Sequence, residues 1–348
     1  MTTTSTRSMP GLRLRPFAGE PDLAEIARIQ NAEAEADRIP ERTSTAEIEA
    51  DFAHPNEHFD PRRDVTLAEL DGRPVAVAMR VWIDSTDGAR TYRVNGAVEP
   101  AARRRGIGRA LLAENERRMR ELAAGHVTPN PKVFGSWSGD TQAGATALLS
   151  AAGFTPVRWF FEMTRHRLDD LPDVALPAGL EIRPITRDLV PAVWRASIEA
   201  FRDHWGGFDH SDEALERWLA SPSTDVGLWV VAFDGDEVAG GVINMVNAAE
   251  NEALGLRRGL LASVFTRRAW RRRGVAGALV ARSLEVLRDR GMTTAWLGVD
   301  ADNPNGALGL YERLGFQATY RSTAWRKPME PAGAVDRGTG GPTSETGR

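Results

Sequence analysis

Short stretches in which apolar and polar residues alternate recur along the chain and predict β-strands. One begins at Gly11 (GLRLRPF) and a similar one at Gly179 (GLEIRPI), and each contains a proline that leads into a polar turn. Two further apolar stretches, Val65–Leu70 and Leu228–Phe233, are each followed by Asp-Gly, a dipeptide typical of the tight turn in a β-hairpin. The pattern therefore predicts antiparallel strands in both halves of the chain.

Two other stretches have apolar residues at helical spacing, and each follows an arginine-rich turn. The apolar positions are Ile107, Leu111, Leu112 and Met119 in the first stretch and Ala276, Leu279, Val280, Leu284 and Leu287 in the second. Gly125 and Gly291 come after these positions and predict where the helices end.

These elements repeat with nearly constant spacing. The alternating stretches that open the two halves are 168 residues apart, and Arg271–Ala276 (RRRGVA) also lies 168 residues after Arg103–Gly108 (RRRGIG). The Gly-Phe dipeptides that end at Phe154 and Phe316 are 162 residues apart, so some loops differ slightly in length. Duplication of one domain explains all three spacings. We expect an α+β fold of two tandem domains, each with a mixed, mostly antiparallel central sheet flanked by helices.

Chain length and local composition set the expected boundaries. With 348 residues the chain exceeds one ordinary domain, which fits two repeats. We expect domains over residues 11–168 and 179–328, joined by a linker over 169–178 that contains several prolines and aspartates. Residues 1–10 and 329–348 are mostly small or polar, so we expect both ends to be disordered.

Charge and cysteine content exclude several functions. The formal net charge of −4 gives no overall attraction to nucleic acid or to an anionic membrane, so neither is expected as a partner. Because the chain has no cysteine, it cannot form disulfides or thiolate metal sites, and we expect no metal. The first residues lack the apolar stretch of a secretory signal, and no segment is apolar enough to span a membrane, so the expected location is the cytoplasm.

The two arginine-rich turns are candidate anion sites. Each has the pattern Arg-x-x-Gly-x-Gly/Ala between a predicted strand and a predicted helix. Backbone N–H groups at the start of a helix have no intrahelical partners, and glycine lets a phosphate approach them, so the turn suits a pyrophosphate. No Gly-Lys-Ser/Thr follows either turn and the third glycine of a dinucleotide fingerprint is missing, which argues against both of those sites. A tight turn beside an exposed basic helix remains the alternative.

A second motif follows in the second half, LGVDADNPNGALGLYERLGF over residues 297–316. Together with Val264–Thr266 and the turn that begins at Arg271, it resembles the GNAT superfamily of N-acetyltransferases. The resemblance covers both halves, about residues 11–165 and 179–328, and is more specific in the second. It implies two GNAT-type domains, acetyl-CoA as the cosubstrate and no metal.

The resemblance also implies which residues bind acetyl-CoA. In the second half, the backbone of Val264, Phe265 and Thr266 would pair with the pantetheine arm, the turn of Arg271, Arg272, Arg273, Gly274, Val275, Ala276 and Gly277 would hold the pyrophosphate, Asn303 would bond the pantetheine, and Tyr311 would lie beside the sulfur. In the first half, the corresponding residues are Val98, Arg103, Arg104, Gly106, Ile107 and Gly108. Many members of the superfamily have their asparagine one position after Asn303, where this chain has Pro304.

Acetyl transfer from a thioester to an amine needs a proton donor for the sulfur and a base for the amine. By the resemblance, Tyr311 is the candidate donor, since a phenol with a pKa of about 10 can protonate a thiolate. Its alternative role is packing against the sheet. The candidate bases are Glu252, predicted in the loop before the fourth strand, and Asp203 and His204, although each is also explained as a solvated or helix-end group.

Aligned at its Gly-Phe dipeptide, the first half has Leu149 in place of Tyr311 and Thr141 in place of Asn303, so we expect it to be non-catalytic. We expect an N-acetyltransferase that moves an acetyl group from acetyl-CoA to the primary amine of a small molecule by direct attack, as a monomer or homodimer. Three alternatives stay open. One is a non-catalytic acetyl-CoA sensor or scaffold, and another is an acyltransferase that uses a longer acyl chain or acts on a protein N-terminus or lysine. The third is an enzyme similar to the mycothiol synthases, tandem acetyltransferases that act on a cysteinyl amino sugar, although these have an acidic residue where this chain has Leu260.

Overall fold

Both halves form the kinds of element that the repeat predicts, which confirms the α+β fold. The structure is a computed structural model and describes residues 9–207, 209–303 and 306–329. The first half contains β1 (Leu12–Pro16), α1 (Glu20–Ala36), α2 (Thr45–Phe52), α3 (Pro61–Asp64), β2 (Val65–Leu70), β3 (Arg73–Asp84), β4 (Arg90–Val98), α4 (Ile107–Ala124), β5 (Lys132–Gly139), α5 (Ala143–Ala151) and β6 (Thr155–Arg165). The second half contains β7 (Glu181–Arg183), α6 (Val190–Ala200), α7 (Asp212–Ala220), β8 (Val230–Asp234), β9 (Glu237–Met245), α8 (Ala248–Leu254), β10 (Arg258–Thr266), α9 (Val275–Asp289), β11 (Thr294–Asp300), α10 (Ala307–Arg313) and β12 (Gln317–Pro328).

The two halves share one sheet because they exchange their last strands. The strand order is β1-β2-β3-β4-β5-β12-β6-β11-β10-β9-β8-β7, so β12 of the second half lies between β5 and β6 of the first half. Strand β6 in turn pairs antiparallel with β11, with Phe161 opposite Val299. The repeat predicts a separate sheet for each domain, whereas the strands β5, β12, β6 and β11 at the middle of the sheet each have a neighbour from the other half. The chain boundary between the halves is therefore not a boundary in the sheet.

The two faces of the sheet carry different helices in the second half. Along β8, Val230 and Ala232 pack in the core that includes α9 and Tyr311 of α10. The alternate residues Val231 and Phe233 pack in a second core that includes α6 and α7. Because successive strand residues point to opposite faces, α9 and α10 cover one face and α6 and α7 cover the other.

The predicted linker and ends are more closely packed than expected. Leu171, Val174 and Leu176 of the linker pack against the core of the second half. Met329 is buried in the core of the first half, and Met9 packs beside a smaller core there, although both were predicted to be in disordered ends. The remaining residues of those ends, 1–8 and 330–348, lie outside the described residues. Within the described part of the chain, no helix combines the length and the apolar character that crossing a bilayer requires.

Candidate active site

A cleft opens where two parallel strands of the second half diverge. Strands β10 and β11 pair only from Arg258–Leu260 to Thr294–Trp296. Beyond Leu260, β10 stays paired with β9 as far as Thr266, but no described strand pairs with the edge that faces β11. Backbone donors and acceptors on this edge are therefore open to a cleft of about 1250 Å³.

The basic turn of the second half forms one wall of this cleft. Gly274 has φ 86° and is the N-cap of helix α9. The first backbone bond of the helix runs from Ala278 N to Gly274 O at 3.2 Å. The amides of Val275–Gly277 therefore lack intrahelical acceptors, and these residues line the cleft. A Cβ on Gly274 would meet no atom within 4 Å, so the space in front of the helix is open. Such an arrangement suits a pyrophosphate.

Tyr311 lies on the same side of the cleft, on helix α10. Its side chain lines the cleft but is only 6% exposed, and its ring packs edge-on against Phe316 with centroids 5.9 Å apart. Burial raises the pKa of Tyr311 above its ordinary value. The phenol therefore stays protonated at neutral pH and can donate a proton, but it is a poor base.

Aromatic side chains and one histidine form the opposite side of the cleft. The described residues on that side are Phe160, Trp194, Ser197, Ala200, Phe201, His204, Asp209, Ala214 and Trp218. Burial lowers the pKa of His204 below its usual value of 6.5, with Asp300 opposing the shift. At neutral pH the imidazole is therefore mostly uncharged and can accept a proton.

The first half contributes to this cleft through its exchanged strand. Phe160 of β6 lines the cleft directly. Arg158 of the same strand holds Asp300, a buried cleft residue at the end of β11, in a salt bridge of 2.8 Å. Phe160 was not predicted as a site residue, because nothing in its local sequence indicates which sheet partner β6 takes.

A second contact between the halves fixes Asp209. Its carboxylate accepts hydrogen bonds from Asn56 of the first half at 2.9 Å and from Arg217 of α7 at 2.8 Å. Burial alone would raise the pKa of Asp209, but hydrogen bonds from Ser211, Asn56 and Arg217 outweigh it and lower the pKa to about 2. Asp209 is therefore a carboxylate whose oxygens are already bonded to protein groups.

The structure brings most of the predicted second-half residues together. Lining the cleft are Val264, Phe265, Thr266, Arg271, Arg272, Gly274, Val275, Ala276, Gly277, Asn303 and Tyr311. Arg273 is exposed beside the turn and is not among the lining residues, whereas Pro304 lies outside the described residues.

Glu252 is not brought to the cleft. The loop predicted around it is the short helix α8, on which Glu252 is exposed and away from the lining residues. The signals for this helix are present in the sequence. The side chain of Asn247 caps its first turn by accepting a bond from Glu250 N, and Gly255 ends it with φ 63°.

The basic turn of the first half has nearly the same conformation. Arg104 and Gly106 have φ 63° and 89°, and Arg272 and Gly274 have 61° and 86°. Arg103 Nε donates to Val98 O at 3.1 Å, the same distance as from Arg271 Nε to Thr266 O. Ile107 and Gly108 begin helix α4.

The gap beside that first-half turn is bridged by side chains. Strands β4 and β5 pair only over Arg90–Arg93, but Asn95 Oδ1 then accepts bonds from Trp137 N at 3.2 Å and from Ser136 Oγ at 3.3 Å. Leu149, at the position that corresponds to Tyr311, is buried in the core. The first half therefore has the turn without the phenol or the open strand edge.

No group of three or more His, Asp and Glu side chains that could hold a metal ion occurs among the described residues.

Comparison with known families agrees with the duplicated architecture. The sequence model of the Acetyltransferase (GNAT) family matches this chain twice, over residues 24–131 and 191–316. One match falls in each half.

Curated relatives span two thirds or more of the chain. The mycothiol acetyltransferase of Geodermatophilus obscurus is 27% identical over 322 residues, which cover 88% of this chain and 94% of the relative. The mycothiol acetyltransferase of Brachybacterium faecium is 32% identical over 243 residues, which cover 67% of each protein.

Solved structures show the same fold. A GCN5-related N-acetyltransferase from Sphaerobacter thermophilus has a TM-score of 0.69 and 27% sequence identity, and the match covers 93% of this chain and 97% of that one. A tandem GNAT protein from the clavulanic acid biosynthesis pathway has a TM-score of 0.68 with 20% identity, covering 92% and 99%. At that identity the second likeness concerns the fold alone.

Proposed function

This chain belongs to the GNAT family of acetyltransferases, and we propose that its second half moves an acetyl group from acetyl-CoA to the primary amine of a small molecule by direct attack. The observation that carries the proposal is the placement of a protonated, buried phenol, Tyr311, in the same cleft as the unpaired amides of helix α9. An anion site and a proton donor on one side of an open strand edge suit a thioester of a nucleotide-bearing thiol.

The lining residues fit acetyl-CoA, which supplies the acetyl group as an activated thioester. The amides of Val275–Gly277 would hold its pyrophosphate, with Arg271 and Arg272 nearby. The unpaired edge of β10 over Val264–Thr266 would bond the amides of the pantetheine arm as a neighbouring strand does, and Asn303 would add a side-chain contact.

Two protons must move during transfer, and each has a candidate partner. His204 would accept a proton from the attacking amine, because the imidazole lines the aromatic side of the cleft and is mostly neutral at pH 7. Tyr311 would donate a proton to the departing sulfur and regain one from solvent. A backbone N–H of β10 near Phe265 would stabilise negative charge on the acetyl oxygen.

The first half would be structural rather than catalytic. It has Leu149 in place of the phenol, and Asn95 bridges its strand gap. Its contribution to the reaction would be strand β6, which provides Phe160 and the Arg158 that holds Asp300.

The variant Tyr311→Phe tests this assignment, because it removes the donated proton and keeps the ring. We expect kcat to fall by about 10² to 10⁴-fold with the KM for acetyl-CoA nearly unchanged, measured by release of free thiol. The matched control changes the first half, Arg103→Ala with Gly106→Ala, and should leave kcat within about twofold. Loss of activity in the control with full activity in Tyr311→Phe would reverse the assignment. Tight binding of acetyl-CoA without turnover of any amine would favour a sensor instead.

A second candidate is mycothiol synthase-like acetylation of a cysteinyl amino sugar. It is favoured by the relatives named mycothiol acetyltransferase, which span most of this chain. Against it stands Leu260, which occupies the position where those enzymes have an acidic residue. Turnover of the cysteinyl amino sugar at a higher kcat/KM than simple amines would establish this candidate.

A further inference from the structure

The side of the cleft opposite Tyr311 has an aromatic wall. Trp194 of α6 and Trp218 of α7 both line the cleft, with ring centroids 5.6 Å apart. Trp218 also stacks on Trp229, whose ring is buried, at 5.2 Å and an interplanar angle of 23°. The indoles are therefore held in place by packing and present a preformed apolar surface.

A second aromatic surface comes from the exchanged strand. Phe160 of β6 packs against Trp137 at 4.8 Å and Trp205 at 6.0 Å. Phe201 lines the same side of the cleft and lies edge-on to the His204 ring at 5.5 Å. Aromatic groups from both halves thus line the same side of the cleft as the imidazole that the proposed reaction uses.

Two polar groups on this side are already bonded within the protein. Asp209 is bonded to Asn56 and Arg217, and Ser197 Oγ donates to Trp194 O at 2.8 Å. Arg271 of the basic turn meets this side through a bond from its Nη2 to Ala200 O at 2.8 Å. A polyhydroxylated acceptor would lose its water here and find few new partners, and each unpaired buried hydroxyl weakens binding.

We propose that the acceptor is a primary amine carried on a flat aromatic body, of the arylalkylamine class, which binds against Trp194, Trp218 and Phe160. The proposal rests on the proposed function, since it names the acceptor of that same site. Ring stacking would hold the body of the acceptor, and its amine would lie towards His204.

The acceptor class is tested by comparing four acceptors at saturating acetyl-CoA: phenethylamine, propylamine, glucosamine and the cysteinyl amino sugar. We expect kcat/KM for phenethylamine to exceed that for propylamine and glucosamine by at least about tenfold, because a phenyl ring buries far more surface than a methyl group. Glucosamine or the cysteinyl amino sugar matching or surpassing phenethylamine would overturn the proposal while leaving the acetyltransferase function intact. If no amine is acetylated by protein that binds acetyl-CoA, both proposals fail.

A pair of variants separates ring recognition from general damage. Trp194→Ala should lower kcat/KM for phenethylamine by about tenfold or more and change the value for propylamine by less than about threefold. Trp194→Phe keeps a ring and should recover most of the loss. Circular dichroism and the KM for acetyl-CoA check the fold, and Phe160→Leu replaces Trp194→Ala if that variant does not fold. Equal losses for both amines would show a structural role only and overturn the proposal.

Discussion

The two halves of the chain contain the same basic turn in nearly the same conformation, but they surround it differently. In the second half, a Cβ on Gly274 would meet nothing within 4 Å, whereas the methyl of Met9 lies 3.8 Å from the corresponding position on Gly106. Beside the first turn, Asn95 bridges the diverging strands, and the corresponding gap in the second half is a cleft. The turn is therefore part of how a strand leads into a helix in this fold, whichever half contains it. Of the two described turns, that of the second half has an open strand edge beside it, as the proposed acetyl-CoA site requires.

Because of the strand exchange, the core of each half depends on a strand from the other half. Phe161 and Met163 of β6 belong to the core beneath the candidate active-site cleft, and Met163 is 1% exposed. Strand β12 has β5 and β6 as its two neighbours, both from the first half. The second half therefore carries the candidate chemistry but does not contain the whole of its own core.

The largest expected effect comes from cutting between the halves. A fragment of residues 169–348 lacks β6, so β11 loses one neighbour and β12 loses both. We expect this fragment to show no cooperative thermal unfolding by circular dichroism and no activity, because the loss exceeds the margin of ordinary stability. The matched fragment of residues 155–348 keeps β6 and should recover a cooperative transition. Full activity of the shorter fragment would show that the exchange is dispensable.

The exchange also marks the limit of what the sequence could predict. The turn at Gly274 and the helix behind it follow from local periodicity and motif spacing, and the place of Tyr311 beside them follows from the resemblance to the GNAT superfamily. All three line one cleft in the structure. The pairing of β6 with β11 has no local signal, since strands from either copy of a duplicated domain suit the same place in the sheet. Without knowledge of this pairing, Phe160 could not be predicted as a residue of the cleft. His204 was one of several candidate bases, and only burial distinguished it.

The next largest effect should come from His204. Its pKa lies below 6.5, so the neutral base predominates at pH 7 and kcat/KM should fall as pH drops through that pKa. His204→Gln should lower kcat/KM by about 10²-fold at pH 7, and the ratio of wild-type to variant rates should shrink towards acidic pH. Taking the ratio cancels the titration of the amine itself.

A matched histidine in the first half provides the control for that experiment. Burial also lowers the pKa of His126, whose Nδ1 lies 2.9 Å from the Tyr92 hydroxyl, away from the residues that line the cleft. His126→Gln should leave both kcat/KM and its pH profile unchanged. A ratio of wild-type to His204→Gln rates that stays constant towards acidic pH would assign the base elsewhere.

A smaller effect is expected when the glycine before the helix is replaced by alanine in each of the two basic turns. Gly274→Ala and Gly106→Ala each place a side chain at a positive φ, of 86° and 89°, so both should lose about 1 kcal/mol of unfolding free energy. Only Gly274→Ala puts a methyl group where a phosphate would approach the helix, and its KM for acetyl-CoA should rise about tenfold. The KM of Gly106→Ala should stay within about twofold. Equal changes in KM for the two variants would mean that both turns bind acetyl-CoA.

The smallest expected effect concerns the bridge across the first-half gap. Asn95→Ala removes the acceptor for Trp137 N, whereas Ser136 Oγ keeps Val94 O as an acceptor at 2.8 Å. The variant should cost about 0.5 to 1 kcal/mol of unfolding free energy in a denaturant titration. The corresponding residue in the second half is Ser263, which lines the cleft, and Ser263→Ala should cost less because no such bridge is lost there.

Calorimetry of wild type and of Asn95→Ala should give one acetyl-CoA per chain, since Leu149 still replaces the phenol and Met9 still lies beside Gly106. A second acetyl-CoA bound only by Asn95→Ala would identify Asn95 as the group that closes the first site, and two bound by the wild type would remove the distinction between the halves.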